Sequence, residues 1–195
     1  WDGTIRFWSV ETGRCERVLV GAEREDQLTH GGMDNIAITV DGRYLVSDAY
    51  DEIKVWDLVT GDPDPVMHWE GHGVHKLSLT PDNERVVTAS VDGILEVRNL
   101  LSGICEWSYA AHKSFITALA LSPDGRFAVT SSSDKTLCVS SLQRYEREQF
   151  FTIDAEGTAI AAIQGKKLQI VVGDNIGGLR CYDPAVHCSQ SLLSP

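Results

Sequence analysis

The sequence predicts an all-β fold made of repeated four-stranded antiparallel sheets, and residues 111–139 show the repeating pattern most clearly. Apolar and polar residues alternate over 115–121, a Pro-Asp-Gly turn follows at 123–125, and further strand-like runs cover 127–130 and 136–139. Short alternating runs separated by turn residues are typical of antiparallel strands. This stretch therefore predicts three consecutive strands joined by tight turns.

The same pattern recurs along the chain at an almost constant interval. The Asp of the first turn recurs 41 and then 42 residues further on, at Asp41, Asp82 and Asp124. The His that precedes each unit recurs after 42 and then 40 residues, at His30, His72 and His112. A period near forty residues with several short strands per unit is the pattern of a β-propeller blade. We therefore expect a segment of a propeller, with four-stranded antiparallel blades in an incomplete ring.

The units follow one another in order along the chain. Residues 1–20 are predicted to end a preceding blade, and 21–34 to form a loop between blades. Blades are expected at 35–70, 71–110 and 111–154, with a degenerate C-terminal blade and tail at 155–195. The predicted strands of the three regular blades are 36–40, 44–48, 53–58 and 66–69; 74–79, 85–90, 95–99 and 104–109; and 115–121, 127–130, 136–142 and 148–153.

The repeating unit resembles that of the WD-repeat β-propeller family, which runs from a Gly-His pair to a Trp-Asp pair. Gly71-His72 and Trp56-Asp57 match these pairs as written. At steps of 48, 42, 42 and 42 residues, the Trp position is occupied by Trp8, Trp56, Arg98, Ser140 and Tyr182. The resemblance covers about four repeats and implies a ring, usually of seven blades, whose missing part lies N-terminal or comes from a second chain.

The composition excludes some classes of binding partner and indicates the cellular compartment. Lys and Arg number 17 against 28 Asp and Glu, and the net charge of −11 argues against a general affinity for nucleic acid or anionic membranes. No apolar run approaches the roughly eighteen residues of a membrane span, and no signal peptide is visible. Five Cys suggest free thiols and a cytoplasmic location, and the matching positions of Cys15 and Cys105 predict packing inside a strand.

In the WD-repeat family, a buried network joins the His, a Ser or Thr of the second strand, the Asp of the following turn and the Trp. Buried polar groups must be paired, so a closed network fixes the geometry of a blade. The first unit has Tyr50 in place of the Asp, and no unit shows the full set. The matching positions are His30 and Trp56; His72, Thr88 and Asp92; and His112, Thr130 and Asp134.

Catalysis and metal binding are the alternatives to these structural roles. The serines at 131–133 could be nucleophiles beside His112 and Asp134, but the His-Asp pairing recurs in two units and no nucleophile elbow is present. His68, His72 and His75 near Glu70 raise the possibility of zinc, but their spacing is not a ligand pattern. We therefore expect no catalytic residue, no metal and no cofactor.

The family resemblance also implies a surface for partners. Peptides commonly meet the narrow face of the ring, at the residue before the turn Asp and just after the His. These positions are Trp1, Met33, Tyr50, His75, Val91, Lys113, Phe115 and Ser133. Several are apolar or aromatic, as expected of a binding hot spot, although Phe115 and Met33 could instead cap the cores of their blades.

Together these features predict a non-catalytic scaffold for protein or peptide partners, within a larger multidomain protein. Residues 171–184 resemble the closing blade of the propellers that end NACHT or NB-ARC ATPases. The resemblance implies an alternative role as the sensor or autoinhibitory propeller of such a signalling ATPase. A further alternative is a regulatory propeller attached to a hydrolase or kinase domain.

Overall fold

A computed structural model describes residues 3–20, 35–49, 52–60, 62, 65–70, 73–164, 167–184 and 188–191. The first sheet has two strands, β1 (Thr4–Trp8) and β2 (Cys15–Val20). Four sheets of four strands follow: β3 (Ile36–Ile38), β4 (Tyr44–Ala49), β5 (Glu52–Asp57) and β6 (Met67–Glu70); β7 (Val74–Leu79), β8 (Arg85–Ser90), β9 (Ile94–Asn99) and β10 (Cys105–Ala110); β11 (Ile116–Leu121), β12 (Phe127–Ser132), β13 (Thr136–Ser141) and β14 (Glu146–Thr152); β15 (Gly157–Gln164), β16 (Leu168–Asp174), β17 (Leu179–Asp183) and β18 (Cys188–Ser191).

Each sheet is an antiparallel meander, in which every strand pairs with the next strand along the chain. The predicted all-β fold with four-stranded antiparallel blades is therefore confirmed. The bounds of β7 and β8 match the prediction at both ends. β3 ends two residues earlier than predicted because the turn already begins at Thr39, whose carbonyl accepts a 2.8 Å hydrogen bond from the Gly42 amide. No helix capable of spanning a membrane occurs in the described part of the chain.

Neighbouring sheets meet through their innermost strands. β7 lies between β3 and β11, and β11 contacts β15. Each core lies between two sheets; for example, Leu77 and Leu79 of β7 pack against a cluster that contains Val46 and Val55 of the preceding sheet. The β1–β2 hairpin covers the other face of that sheet. The sheets thus form an incomplete propeller, held together by apolar burial.

Burial falls from the middle strands of a blade to its outer strand. In β8 and β12, every residue after the first is buried, whereas β10 alternates between exposed and half-buried residues. The middle strands are covered by sheets on both sides, and the outer strand is covered mainly on one. This gradient is the alternation expected where one face of a strand is solvated.

The edges of the sheets form two distinct faces. Strand direction alternates within each meander, so the connections between sheets and the turns between second and third strands lie at one edge. We call this edge the connection face; it includes residues 111–115 and 133–135. The opposite edge, which we call the turn face, includes residues 81–84, 123–126 and 142–145.

The prediction that Cys15 and Cys105 pack inside a strand is wrong. Both residues are exposed, because each is the first residue of an outer strand. Their equivalence is nevertheless real, since the Sγ atom of each lies near the carbonyl oxygen two residues on, at 3.5 Å from Arg17 O and 3.6 Å from Trp107 O. Cys138, in contrast, is a free and buried thiol.

Candidate interaction face and its supporting network

His112 is the centre of a buried hydrogen-bond network in the sheet β11–β14. The connection that carries it is anchored to the preceding sheet, because the amides of Ala111 and His112 both donate to Gly93 O, at 3.0 and 3.1 Å. The ring bonds to two threonines, with 2.7 Å from Nε2 to Thr130 Oγ1 and 2.7 Å from Nδ1 to Thr136 Oγ1. Its side chain has no exposed surface. His112 therefore ties the connection between two sheets to the second and third strands of the next one.

The direction of each hydrogen bond in this network follows from the protons available. Thr136 donates its only hydroxyl proton to Asp134 Oδ1, which as a carboxylate can only accept. Thr136 Oγ1 must then accept from His112 Nδ1–H, which leaves Nε2 of the neutral ring to accept from the Thr130 hydroxyl. Asp134 Oδ2 accepts a 2.8 Å bond from the Lys113 amide. The network is thus closed without a charge on the imidazole.

Burial of His112 predicts a specific dependence of stability on pH. Burial lowers the pKa of the imidazole below 6.5 and outweighs the nearby Asp134 carboxylate, which alone would raise it. The unfolded chain therefore takes up this proton at a higher pH than the folded chain. The contribution of neutral His112 to the free energy of unfolding is complete above about pH 6.5 and is lost as pH falls toward the lower folded pKa.

We expect NMR titration of the folded chain to give His112 a pKa below 6.5, and stability to decrease as pH falls below about 6.5. The lowered pKa of Asp134 does not affect this window, because both its folded and its unfolded values lie at or below about 4. A titration of His112 at or above pH 6.5 would contradict the placement of protons in this network.

The other predicted network positions differ in their surroundings. Thr88 is buried in β8, but Asp92 is exposed in the turn that follows. The physical reason is that Ile94 occupies the position of Thr136 and offers no hydroxyl to a carboxylate. His30 and His72 lie outside the described residues.

Trp56 is fully buried, but its indole Nε1–H has no hydrogen-bond partner among the described residues. In the next two sheets, different side chains occupy the equivalent position, and each has a hydrogen-bond partner. Arg98 bonds to Glu96 at 3.0 Å and to Gly103 O at 3.1 Å, and Ser140 bonds to the Tyr109 hydroxyl at 2.5 Å. The Trp position thus tolerates a packed indole, an ion pair or a hydroxyl pair.

The three serines beside the network have structural partners. Ser131 donates to Gly157 O at 3.0 Å, Ser132 to Ser114 O at 3.2 Å, and Ser133 lies 2.9 Å from the Ser114 hydroxyl. Both nitrogens of the His112 ring are occupied by threonines instead. Within the part of the chain that the structure describes, no group of three or more His, Cys, Asp or Glu side chains is arranged to hold a metal.

The connection face brings together several of the predicted partner-binding residues. The rings of His75 and Phe115 pack at 4.3 Å between centroids, with an angle of 49° between their planes. Lys113 is exposed, and Val91 is 41% exposed. Ser133 is fixed beside them, because its amide donates to Phe115 O at 3.0 Å.

Phe115 and His75 are both half-buried, so one side of the pair packs on the protein and the other side is accessible to a partner. The other three predicted residues of this face, Trp1, Met33 and Tyr50, lie outside the described residues. The predicted residues that the structure describes on this face thus combine an aromatic pair, the exposed aliphatic side chain of Val91 and the exposed cation of Lys113, on loops held by backbone hydrogen bonds.

Two stretches of the chain, residues 63–99 and 103–139, match the family described as "WD domain, G-beta repeat". These two stretches are WD repeats. Each matched WD repeat straddles two sheets. The first spans β6 to β9, and the second spans β10, β11, β12 and most of β13. One WD repeat therefore supplies the outer strand of one blade and the three inner strands of the next, which links consecutive blades covalently.

Several proteins are similar to this chain. The Target of rapamycin complex subunit LST8 of Saccharomyces cerevisiae is 29% identical over 126 residues, which are 64% of this chain and 39% of that protein. The subunit wat1 of Schizosaccharomyces pombe is 26% identical over 198 residues, covering 100% of this chain and 60% of wat1. Human Apoptotic protease-activating factor 1 is 32% identical over 101 residues, 51% of this chain and 8% of that protein. The chain thus spans less than two thirds of each relative.

Proposed function

We propose that this chain is a non-catalytic scaffold that binds protein or peptide partners through the connection face. The observation that carries the proposal is the open pair of His75 and Phe115, flanked by Val91 and Lys113, on rigidly held loops. Aromatic side chains on a rigid support supply much of the energy of natural interfaces at little entropic cost. The similarity to subunits of Target of rapamycin complexes supports a role within an assembly.

The remaining parts of the proposal concern the context of the chain. We propose blades at 35–70, 71–110, 111–154 and 155–195, after the end of an earlier blade at 1–20 and a loop at 21–34. Further blades, from a longer chain or a second chain, would complete the ring. The free thiols of the described cysteines favour a cytoplasmic location. The acidic composition favours partners other than nucleic acid or membrane.

Charge and apolar substitutions on the two faces test the proposed interaction surface. Proteins captured from a lysate are first identified by mass spectrometry, and binding of a purified partner is then measured. Val91→Asp would place a carboxylate in the interface, where it loses its hydration, and Lys113→Glu would reverse the charge that faces the partner. We expect each substitution to weaken binding by about tenfold or more.

The matched controls lie on the turn face, where Val59 is 75% exposed and Arg126 is also exposed. Val59→Asp and Arg126→Glu make the same chemical changes away from the connection face, and we expect binding to be retained. Loss of binding in the controls with retention in the connection-face variants would show that the proposal has chosen the wrong surface.

A second candidate function is the sensor or autoinhibitory propeller of a NACHT or NB-ARC signalling ATPase. The observation that favours it is the similarity to Apoptotic protease-activating factor 1, in which the matched stretch is a small fraction of a long chain. In that case, substitutions on the connection face would change the nucleotide-dependent assembly of the longer protein. ATPase and assembly assays of that protein, with and without Lys113→Glu, distinguish this role from a plain scaffold.

A further inference from the structure

A cavity of about 560 Å³ lies on the turn face, between the sheets β7–β10 and β11–β14. Three turns line it, and the residues that matter are Pro81, Asp82 and Arg85 from one sheet and Asp124, Leu142 and Tyr145 from the next. Its volume falls in the range of about 300–1,000 Å³ that is typical of natural binding sites. The cavity is on the opposite side of the molecule from the connection face and is independent of the function proposed there.

The walls of this cavity are held in place by direct contact between the two sheets. A Cβ atom on Gly125 would lie 2.9 Å from Pro81 Cδ, so the turns of the neighbouring sheets pack without space for a side chain. Gly125 also has a φ of +69°, which favours glycine. The cavity is therefore formed before any partner arrives.

Two carboxylates on facing turns are fixed by the same local motif. Asp82 Oδ1 accepts from the Thr80 hydroxyl at 2.5 Å and the Glu84 amide at 3.0 Å. Asp124 Oδ1 accepts from the Ser122 hydroxyl at 2.6 Å and the Arg126 amide at 3.1 Å. Burial alone would raise the pKa of both Asp residues, but these hydrogen bonds outweigh it and lower both pKa values. Both carboxylates are therefore ionised at neutral pH.

The Arg85 guanidinium, the cation that lines the cavity, is already ion-paired with carboxylates of the chain. Arg85 Nε lies 2.7 Å from Glu106 Oε2, and its Nη1 lies 3.2 Å from Asp82 Oδ2 and 3.4 Å from Glu84 Oε2. The Tyr145 hydroxyl donates to the same Glu106 oxygen at 2.5 Å.

On the Asp124 side, the described residues form no salt bridge to the carboxylate. The guanidinium of nearby Arg126 instead lies over the Phe127 ring, 5.6 Å from its centroid. Among the residues that line the cavity, the carboxylates of Asp82 and Asp124 thus outnumber the single guanidinium of Arg85, and the cavity carries net negative charge.

We propose that this cavity binds an arginine side chain presented by a partner polypeptide. A guanidinium group can donate a charge-assisted hydrogen bond to Asp124 Oδ2, because the turn hydrogen bonds occupy only Oδ1. The aliphatic stem of the guest fits the apolar wall made by Pro81 and Leu142. The Tyr145 ring adds an aromatic surface, which favours the planar guanidinium over the compact ammonium of lysine.

The direct test is a titration of the isotope-labelled chain with N-acetylarginine amide, followed by NMR. We expect saturable shifts of the Gly125, Gln143 and Tyr145 amides, with a dissociation constant in the millimolar range. The matched probe is N-acetylcitrulline amide, which has nearly the same shape but no charge. We expect it to bind at least about tenfold more weakly, because the charge-assisted hydrogen bonds are lost.

Two variants separate a specific site from general attraction to an acidic protein. Asp124→Asn keeps the oxygen that accepts from Ser122, so the turn is retained, and should weaken arginine binding by about threefold to tenfold. Asp41→Asn makes the same change in the equivalent turn of the sheet β3–β6, which does not line the cavity, and should leave binding unchanged.

Absence of saturable shifts at the cavity would overturn the proposal. So would equal binding of the citrulline probe, or equal loss of affinity in Asp41→Asn and Asp124→Asn, because these results indicate adventitious or purely electrostatic contact. The connection-face variants Val91→Asp and Lys113→Glu do not alter this cavity. Failure of one proposal is therefore distinguishable from failure of the other.

Discussion

Replacing Trp56 by alanine is expected to lower the free energy of unfolding by about 3–5 kcal/mol, the usual cost of deleting a large buried aromatic side chain. Trp56 is fully buried and packs with Ile5 and Leu19 of the β1–β2 hairpin and with Leu45 of its own sheet. The cavity left by alanine would open the contact between the hairpin and the sheet. Urea unfolding followed by circular dichroism measures the loss, and hydrogen exchange should show β1 amides exchanging faster.

The comparison with Trp56→Phe tests what the indole contributes. Its Nε1–H has no acceptor among the described residues, so phenylalanine removes volume but breaks no observed hydrogen bond. We expect a cost of about 1 kcal/mol, close to that of other core substitutions that keep most of the volume. If Trp56→Phe costs nearly as much as Trp56→Ala, the indole N–H makes an interaction that contributes to stability.

Replacing His112 by alanine is expected to cost about 3 kcal/mol, through a different mechanism. The substitution removes two buried hydrogen bonds and leaves the hydroxyl of Thr130, which is fully buried, without its partner. An unsatisfied buried polar group carries the full cost of its desolvation, and the cavity left by the ring adds to it. Equilibrium urea unfolding at about pH 7, where the imidazole is neutral, gives the relevant value.

The two turn aspartates provide the matched comparison for this network. Asp134 bonds to Thr136 and to the Lys113 amide, so Asp134→Ala should cost about 1–3 kcal/mol. Asp92 occupies the equivalent turn but is exposed, so Asp92→Ala should change stability by less than about 0.5 kcal/mol. Equal costs for the two substitutions would mean that the hydrogen bonds around Asp134 do not stabilise the blade.

The sequence predicted the architecture well because strand alternation and turn chemistry are local properties. The turn motif shows the same locality, since the hydroxyl partners of the turn aspartates are Thr39, Thr80 and Ser122, each two residues before its Asp. The prediction identified the three aspartates but not these partners, although they recur with the same spacing of 41 and 42 residues. A search for Ser or Thr at fixed offsets from the repeated Asp would have found them.

Thr136 was harder to predict, although it is the link between His112 and Asp134. Which residue of β13 faces His112 depends on the register across the β12–β13 turn, where Lys135 adopts a φ of +62°. A shift of one residue in that turn would send Thr136 to the other face of the sheet. The recurrence of Cys15 and Cys105 led to the wrong prediction that both are packed. Spacing identifies equivalent positions but does not show whether these positions are buried.

The burial gradient within each blade has a consequence for how such a chain can change over evolutionary time. The buried middle strands and short turns fix the length of a unit, because an insertion there would displace side chains that are covered on both faces. The outer strands are exposed on alternate residues, so most substitutions at those exposed positions carry little energetic penalty. In the middle strands, the Trp position has changed only with a new partner, as at Arg98, which pairs with Glu96, and Ser140, which bonds to Tyr109, while the interval between units stays constant.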